Sequence, residues 1–182
     1  MHGADTKGPK GEDMKMEPLS LKTALDLVWW RNDCRETLRT PGFTTEAQQV
    51  EFHREVNKPD GNIYYWEFSE SAEVIAVGGL VNIDWHNRTA EISLLVSPRH
   101  RQKGIGKEVA QCILTEAFYN MNIVRLYGEV YDCGAVTFWK EIFPKASWSE
   151  SPHLKYWAGS YHGSQYFWID QEDLWTTGAS SG

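Results

Sequence analysis

Three cysteines, Cys34, Cys112 and Cys133, are too few, too far apart and odd in number to frame a fold with disulfides. They form no C-x-x-C pair, so structural zinc and dithiol redox chemistry have no ligand set, and a reducing cytoplasm is the expected compartment. No apolar run approaches the ~20 residues that a membrane span needs, which predicts no membrane partner. The N-terminus lacks the apolar centre of a secretory signal. An excess of positive charge is missing as well. The 18 Lys and Arg against 25 Asp and Glu leave a net −7, which argues against a nucleic-acid partner. What the chain has in quantity is apolar and aromatic side chains, 41% and 13%, enough for one packed core and too many for disorder.

Against the acidic background one stretch has the opposite sign. Arg99, His100, Arg101, Lys103 and Lys107 crowd around Gly104 and Gly106, between an apolar run that ends at Val96 and a helical pattern that begins near Lys107. A turn that feeds a helix exposes N–H groups that no carbonyl satisfies, and the helix dipole adds partial positive charge there. Such a turn binds anions. Glycine lets the backbone take φ > 0 and come close to a bulky diphosphate. Two familiar phosphate loops do not fit: a Walker loop needs four residues between its glycines and Ser or Thr after the lysine, and the dinucleotide fingerprint needs a glycine at Val109.

The rest of the chain reads as alternating local patterns. Residues 1–17 are rich in Gly, Lys, Asp and Glu and are expected to form a mobile tail, as are residues 177–182. Leu21, Leu25, Val28 and Trp29 fall on one helical face, which predicts a first helix buried along that face. Thr45 and Gln48 have capping-box spacing and open a second helix that runs to Val56. Strands are predicted over residues 62–68, 73–83 and 89–96, with Gly78 and Gly79 marking a close approach by a neighbour. Alternation in the third places Glu91, Ser93 and Leu95 on one face and Ile92, Leu94 and Val96 on the other. Ile105, Val109, Cys112, Ile113 and Ala117 form a helical stripe, which makes Cys112 a core residue. A right-handed crossover then makes the strand over residues 123–131 parallel to 89–96. A short helix over 135–141 and a strand pair within 153–169 complete a single domain spanning residues 18–176.

The run Arg101-Gln102-Lys103-Gly104-Ile105-Gly106 after Val96-Ser97-Pro98 has the form [RQ]-x-x-G-x-[GA] and resembles the acetyl-coenzyme A loop of the GNAT N-acetyltransferase superfamily. Trp30-Arg31-Asn32, the helix near 46–56 and Tyr156-Trp157-Ala158-Gly159-Ser160-Tyr161 look like the branch that holds ribosomal-protein N-terminal, spermidine and nucleotide-amino-sugar acetyltransferases. The resemblance implies an α/β (α+β) fold, a mixed, mostly antiparallel sheet flanked by helices, with a splayed parallel strand pair holding the pantetheine. It implies acetyl-CoA as co-substrate and no metal. Backbone groups of Arg101, Gln102, Lys103, Gly104, Ile105 and Gly106 then hold the pyrophosphate, Leu95, Val96 and Ser97 pair with the pantetheine, and Lys107 is among the nearby basic residues for the phosphates.

The implied chemistry is acyl transfer from a thioester to an amine, and an aliphatic ammonium must lose a proton before it can attack. Glu91 is the expected base, with Asp84 and His86 at a hairpin tip as further candidates. The family pattern N-x-x-A-x-x-x-Y reads here as Asp132 to Trp139, so tryptophan stands where a tyrosine would protonate the thiolate. An indole has no useful acidity, so Trp139 is expected to orient the sulfur at most. Tyr131 is the alternative acid, or the thiolate leaves unassisted. Trp30 is expected near the acceptor and Trp29 in the core. Arg31, Arg35 and Asp84 are expected acceptor contacts, although the two arginines equally fit a role in tying the loop to the second helix. The acceptor expected is a small-molecule primary amine, an amino sugar, aminoglycoside or polyamine. A protein N-terminus or lysine, and a non-catalytic acyl-CoA-binding module, are the competing readings. A homodimer is left open.

Overall fold

The computed structural model describes residues 14–38, 42–131, 135–157 and 159–175. β1 (Lys15–Pro18), β2 (Tyr64–Glu70), β3 (Glu73–Asp84), β4 (Thr89–Val96), β5 (Arg125–Tyr131), β6 (Ser147–Trp157) and β7 (Ser160–Asp170) form one sheet in the order β1-β2-β3-β4-β5-β7-β6. Every neighbouring pair is antiparallel except β4 and β5. That exception follows from the helical crossover between them, which returns the chain to the same edge in the same direction. This is the mixed, mostly antiparallel fold that the sequence implies. Residues 15–17, expected in a tail, instead add an edge strand on β2, with Met16 opposite Phe68.

The helices divide between the two faces. On one face, α3 (Ile105–Thr115) and α4 (Ala135–Ile142) close a core in which Phe68, Leu80, Ile113, Leu126, Phe143 and Phe167 are fully buried. Gly78 makes the close approach possible, because a Cβ there would lie 2.7 Å from Ile113 Cδ1. On the other face, α1 (Leu21–Asp33) and α2 (Glu46–Glu55) cover a smaller cluster built on Leu27, Trp30, Tyr65 and Val77. Thr45 and Gln48 form the expected capping box at the start of α2.

The phase of α1 is a correction. Its buried residues are Thr23, Ala24, Leu27 and Trp30, whereas Leu21, Leu25 and Trp29 are exposed. Trp30 is therefore a core residue rather than an acceptor contact, and Trp29, 50% exposed, lies under the Arg99 guanidinium at 6.0 Å. The physical cause is at the N-terminus of the helix. Ser20 caps Thr23, and both its N–H and its hydroxyl donate to Glu67 of β2, at 3.0 and 2.7 Å. That tie presents the small Thr23 and Ala24 to the sheet and turns the larger stripe outward. Burial raises the Glu67 pKa, but hydrogen bonds from Thr23 and Ser20 outweigh it and hold the carboxyl below its ordinary value.

Candidate active site

The parallel pair is short. β4 and β5 meet only at Thr89↔Arg125, Ala90↔Leu126 and Glu91↔Tyr127, whereas β3 stays paired with β4 out to Ala76↔Val96. Beyond Glu91, no described strand covers the β5-facing edge of β4. Burial records the opening: Ala90, Glu91 and Ile92 are buried, and Ser93 to Val96 are partly exposed. The gap carries unpaired backbone groups that an extended polar arm can satisfy as a strand would. Glu91 sits at its apex, 7% exposed, and accepts a 2.8 Å hydrogen bond from Asn82 Nδ2. Asn82 occupies the irregularity between Val81 and Asp84, with φ 51°, and this bulge aims the amide at the carboxylate.

At the open end of β4 the chain turns into α3. Ser97 N–H donates to Ile75 O at 2.9 Å and fixes the exit from the strand. Gly104 takes φ +84° at the helix start, supplies no side-chain cap, and has nothing within 4 Å of where a Cβ would stand. The glycine is therefore required by conformation, and the space over it is open. Gly106 is required by contact, since a Cβ would lie 2.9 Å from the Phe138 ring of α4. Lys103 and Lys107 are exposed and form no ion pair with a described residue. An uncapped helix start, an open approach and two exposed lysines suit a diphosphate. Arg101 is engaged elsewhere: Nη1 meets Asp33 Oδ2 at 3.0 Å and Nε meets Val96 O at 3.4 Å, which ties the turn to the end of α1.

On the opposite face of the sheet, a cavity of about 260 Å³ reaches the same stretch of β4. Its apolar walls are Leu27, Leu38, Phe52, Val77, Leu94 and Leu95, and its polar groups are Arg31, Gln49, Tyr65 and Ser93. The Tyr65 hydroxyl donates to Ser93 Oγ at 2.6 Å, and the Phe52 ring stands edge-on to Tyr65 at 5.3 Å. Thr44 anchors the α1–α2 connection, accepting from Arg31 Nε at 3.2 Å and exchanging 3.0 and 2.8 Å backbone bonds with the Asn32 amide. A wider groove between Asn87 and Glu172 lies at the hairpin end of β4, away from the turn. Among the described residues, no group of three His, Cys, Asp or Glu is placed to hold a metal.

A splayed parallel pair and an uncapped helix behind Gly104 adjoin one stretch of β4, and a cavity opens on that stretch from the α1–α2 face. The sequence model of the acetyltransferase (GNAT) family matches residues 24–143. The chain belongs to that family. Among solved structures, this acetyltransferase is similar to a variant of the spermidine N-acetyltransferase of Vibrio cholerae at TM-score 0.77 and 15% identity, over 90% of this chain and 96% of that one. The same Vibrio cholerae enzyme in complex with CoA and spermine matches at TM-score 0.73 and 16% identity, over 87% and 96%. An N-acetyltransferase from Staphylococcus aureus Mu50 matches at 0.71 and 14%, over 86% and 98%. No curated protein sequence matches the chain. The fold is thus the GNAT fold, and the chain is an N-acetyltransferase with acetyl-CoA as donor.

For an acetyltransferase, the expected site residues separate into two groups. Glu91, Leu95 to Ser97 and the turn from Arg101 to Lys107 come together around the splay, and Arg31 lines the cavity beside them. Trp30, Arg35, Asp84 and Trp139 do not join them. Arg35 lies 4.2 Å over the Phe43 ring and is absent from the cavity lining. Asp84 shapes the β3–β4 hairpin, accepting from Asn87 N at 2.8 Å and Nδ2 at 2.7 Å, and those bonds hold its carboxyl below the ordinary value. It is paired with Thr89, roughly 20 Å along the strand from Val96. Trp139 is 7% exposed, stacked on Phe143 at 5.4 Å and against Phe167 at 5.1 Å, so it serves the core and not the sulfur. α4 instead presents Phe138 to Gly106. Tyr131 is partly exposed and reaches Glu129 Oε1 at 3.5 Å, where Tyr166 also donates at 2.9 Å. Asp132 to Gly134 lie outside the described residues. Cys112 is half-buried against the core, and burial pushes its thiol pKa up.

Sequence reasoning passed over Gln49, Tyr65 and Ser93. One signal was available for Gln49: it shares a helical face with Phe52 and Val56, where a polar residue is out of pattern.

Proposed function

We propose that the chain acetylates the primary amine of a small molecule that enters from the α1–α2 face and meets acetyl-CoA across the splay of β4 and β5. The observation that carries this reading is the two-sided access to one stretch of β4. The anion-binding turn lies at the end of the strand, and the cavity opens on the face from which Glu91 and Ser93 project. In this reading the pyrophosphate lies over Gly104 and the pantetheine runs along Ser93 to Ser97.

Glu91 accepts a proton from the ammonium, directly or through water. The freed lone pair attacks the thioester carbonyl and the C–N bond forms; the nitrogen then gives its second proton to solvent as the C–S bond breaks, which leaves the neutral amide and CoA thiolate. The thiolate takes a proton from Tyr131 or from water; at a reference thiol pKa of ~8.5 it leaves without much assistance. Backbone N–H groups of the open edge near Leu95 and Val96 meet the developing oxyanion. The likeness to spermidine acetyltransferases supports a polyamine as one acceptor class, beside amino sugars and aminoglycosides. Free thiols at Cys34 and Cys112 agree with a cytoplasmic setting.

The test is CoA release from acetyl-CoA in the presence of amino sugars, aminoglycosides, polyamines and peptides in turn. Turnover with a small amine and none with peptides is the expected result. Turnover confined to peptides would overturn the reading, and tight acetyl-CoA binding without thiol release from any amine would leave a binding module.

A further inference from the structure

Three residues in register cross the sheet beside the splay. Tyr65 of β2 pairs with Gly79 of β3, and Gly79 pairs with Ser93 of β4. Neighbouring strands lie about 4.8 Å apart, so the backbones of Tyr65 and Ser93 are roughly 10 Å from each other along that row. The Tyr65 hydroxyl nevertheless donates to Ser93 Oγ at 2.6 Å, because the strand between them carries no side chain at this point. A Cβ at Gly79 would collide with Tyr64 O and lie 2.8 Å from the Tyr65 Cα, so no other residue fits there. The Tyr65 ring is buried and stands edge-on to Phe52. A phenylalanine would fill the same space. What the tyrosine adds is a hydroxyl delivered to Ser93.

Ser93 stands where the donor ends. On its face of β4 it is the first side chain beyond the Glu91↔Tyr127 pair, where β5 departs, and it lines the cavity. Its oxygen accepts from Tyr65, and no described residue accepts its own proton. A hydroxyl that accepts a short hydrogen bond is a stronger donor, since chained hydrogen bonds polarise one another. With the pantetheine along β4 from Ser97 to Ser93, the sulfur end of the arm arrives beside this hydroxyl. Glu91 lies roughly 7 Å further along the same face, on the side of the attacking amine. The groups that the family pattern and its nearest substitute would offer the sulfur are placed elsewhere: Trp139 is in the core, and the Tyr131 hydroxyl is 3.5 Å from Glu129 Oε1.

We propose that Ser93 is a catalytic residue that donates a hydrogen bond to the departing sulfur, with Tyr65 as the positioning residue that aims and polarises it across Gly79. This rests on the acetyl-transfer reading above. As the C–S bond breaks, its electron pair goes to sulfur; Ser93 keeps its proton and steadies the thiolate until a proton arrives from Tyr131 or water. A donated hydrogen bond favours the charged form, so it lowers the pKa of a thiol held at this place. The probe is CoA labelled at the carbon that bears the sulfur, whose NMR shift is followed through a pH series in the saturated protein. Ser93→Ala should raise the pKa of the bound thiol by about one pH unit, Tyr65→Phe should raise it by less, and Ser93→Thr, which keeps a hydroxyl, should restore it. Because Ser93→Ala takes this acceptor away from the Tyr65 hydroxyl, the double variant with Tyr65→Phe controls for lost stability and should titrate like Ser93→Ala. In steady state, Ser93→Ala should lower kcat by about tenfold and leave KM for the amine within about threefold. An unchanged thiol titration in Ser93→Ala, or a loss seen only as a raised KM for the amine, would overturn the proposal. If no amine supports thiol release, the acetyl-transfer reading fails by itself, and the titration still decides: a rise in Ser93→Ala upholds the contact with sulfur, and equal curves overturn it. Failure of wild-type protein to bind CoA would overturn both.

Discussion

The two sides of the proposed site, a donor side and an acceptor side, are built by different means. The donor side is one continuous segment, Ser93 to Lys107, and it offers mainly backbone: an unpaired strand edge, a left-handed glycine and an uncapped helix start. The acceptor side is assembled from α1, α2, β2, β3 and β4 and offers side chains. A backbone site tolerates changes in most side chains and serves one ligand, the same thioester carrier. A side-chain site is free to change one residue at a time, which is how one fold comes to serve many acceptors. Arg101 joins the two, bonded to Asp33 at the end of α1 and to Val96 at the end of β4.

That division can be broken most severely at its apex. Glu91→Gln should lower turnover at neutral pH by about 10²–10⁴ while acetyl-CoA affinity stays within about twofold. Activity should recover partly at alkaline pH as the free amine deprotonates unaided. Steady-state rates over a pH series, with calorimetry for acetyl-CoA, check it; a flat pH profile would remove Glu91 from proton transfer.

Gly104→Val acts on the donor side alone. A β-branched residue in the left-handed region costs about 1–2 kcal/mol, and its side chain enters the space kept open for the diphosphate. Acetyl-CoA affinity should fall by tenfold or more, on the order of 1.4 kcal/mol, with acceptor binding unchanged. Loss of both affinities together would mean that the two sides are not independent.

Trp139→Phe tests which side the indole belongs to. From its place among Phe143 and Phe167, turnover should stay within about tenfold while stability drops by roughly 1–3 kcal/mol. A large loss of turnover without unfolding would return the indole to the thioester.

The link between the sides should be weak. Asp33 and Arg101 are 41% and 35% exposed, so Asp33→Asn is expected to cost about 0.2–1 kcal/mol and to move the KM of donor and acceptor together by less than about fivefold.

The smallest effect is on acid stability. The folded Glu67 carboxyl has a pKa below its unfolded value, so it contributes stability above the unfolded pKa and loses that contribution as pH falls through the folded one. Thermal melts from pH 6 downward should show a decline below roughly pH 4.5 that Glu67→Gln makes shallower.

The donor side was legible from the chain because its parts are neighbours in it. Strand alternation put Glu91 and Ser93 on one face and the glycines marked a turn, and the structure has that strand and, at Gly104, a left-handed turn into α3. Gly78 was legible as a close approach, but not as room for Ile113, thirty-five positions away. The acceptor side was not legible. α1 carries two apolar stripes, Leu21 with Leu25 and Trp29, and Leu27 with Trp30, and no helical wheel tells which one the sheet will cover. Contact with Glu67 chose the second and so exchanged the roles of Trp29 and Trp30. Periodicity thus determined that a helix forms and where a glycine turn feeds it, because both depend on residues within a few positions of each other. Which face of the helix is buried, and which side chains meet across a cavity, depended on partners that only folding brings together.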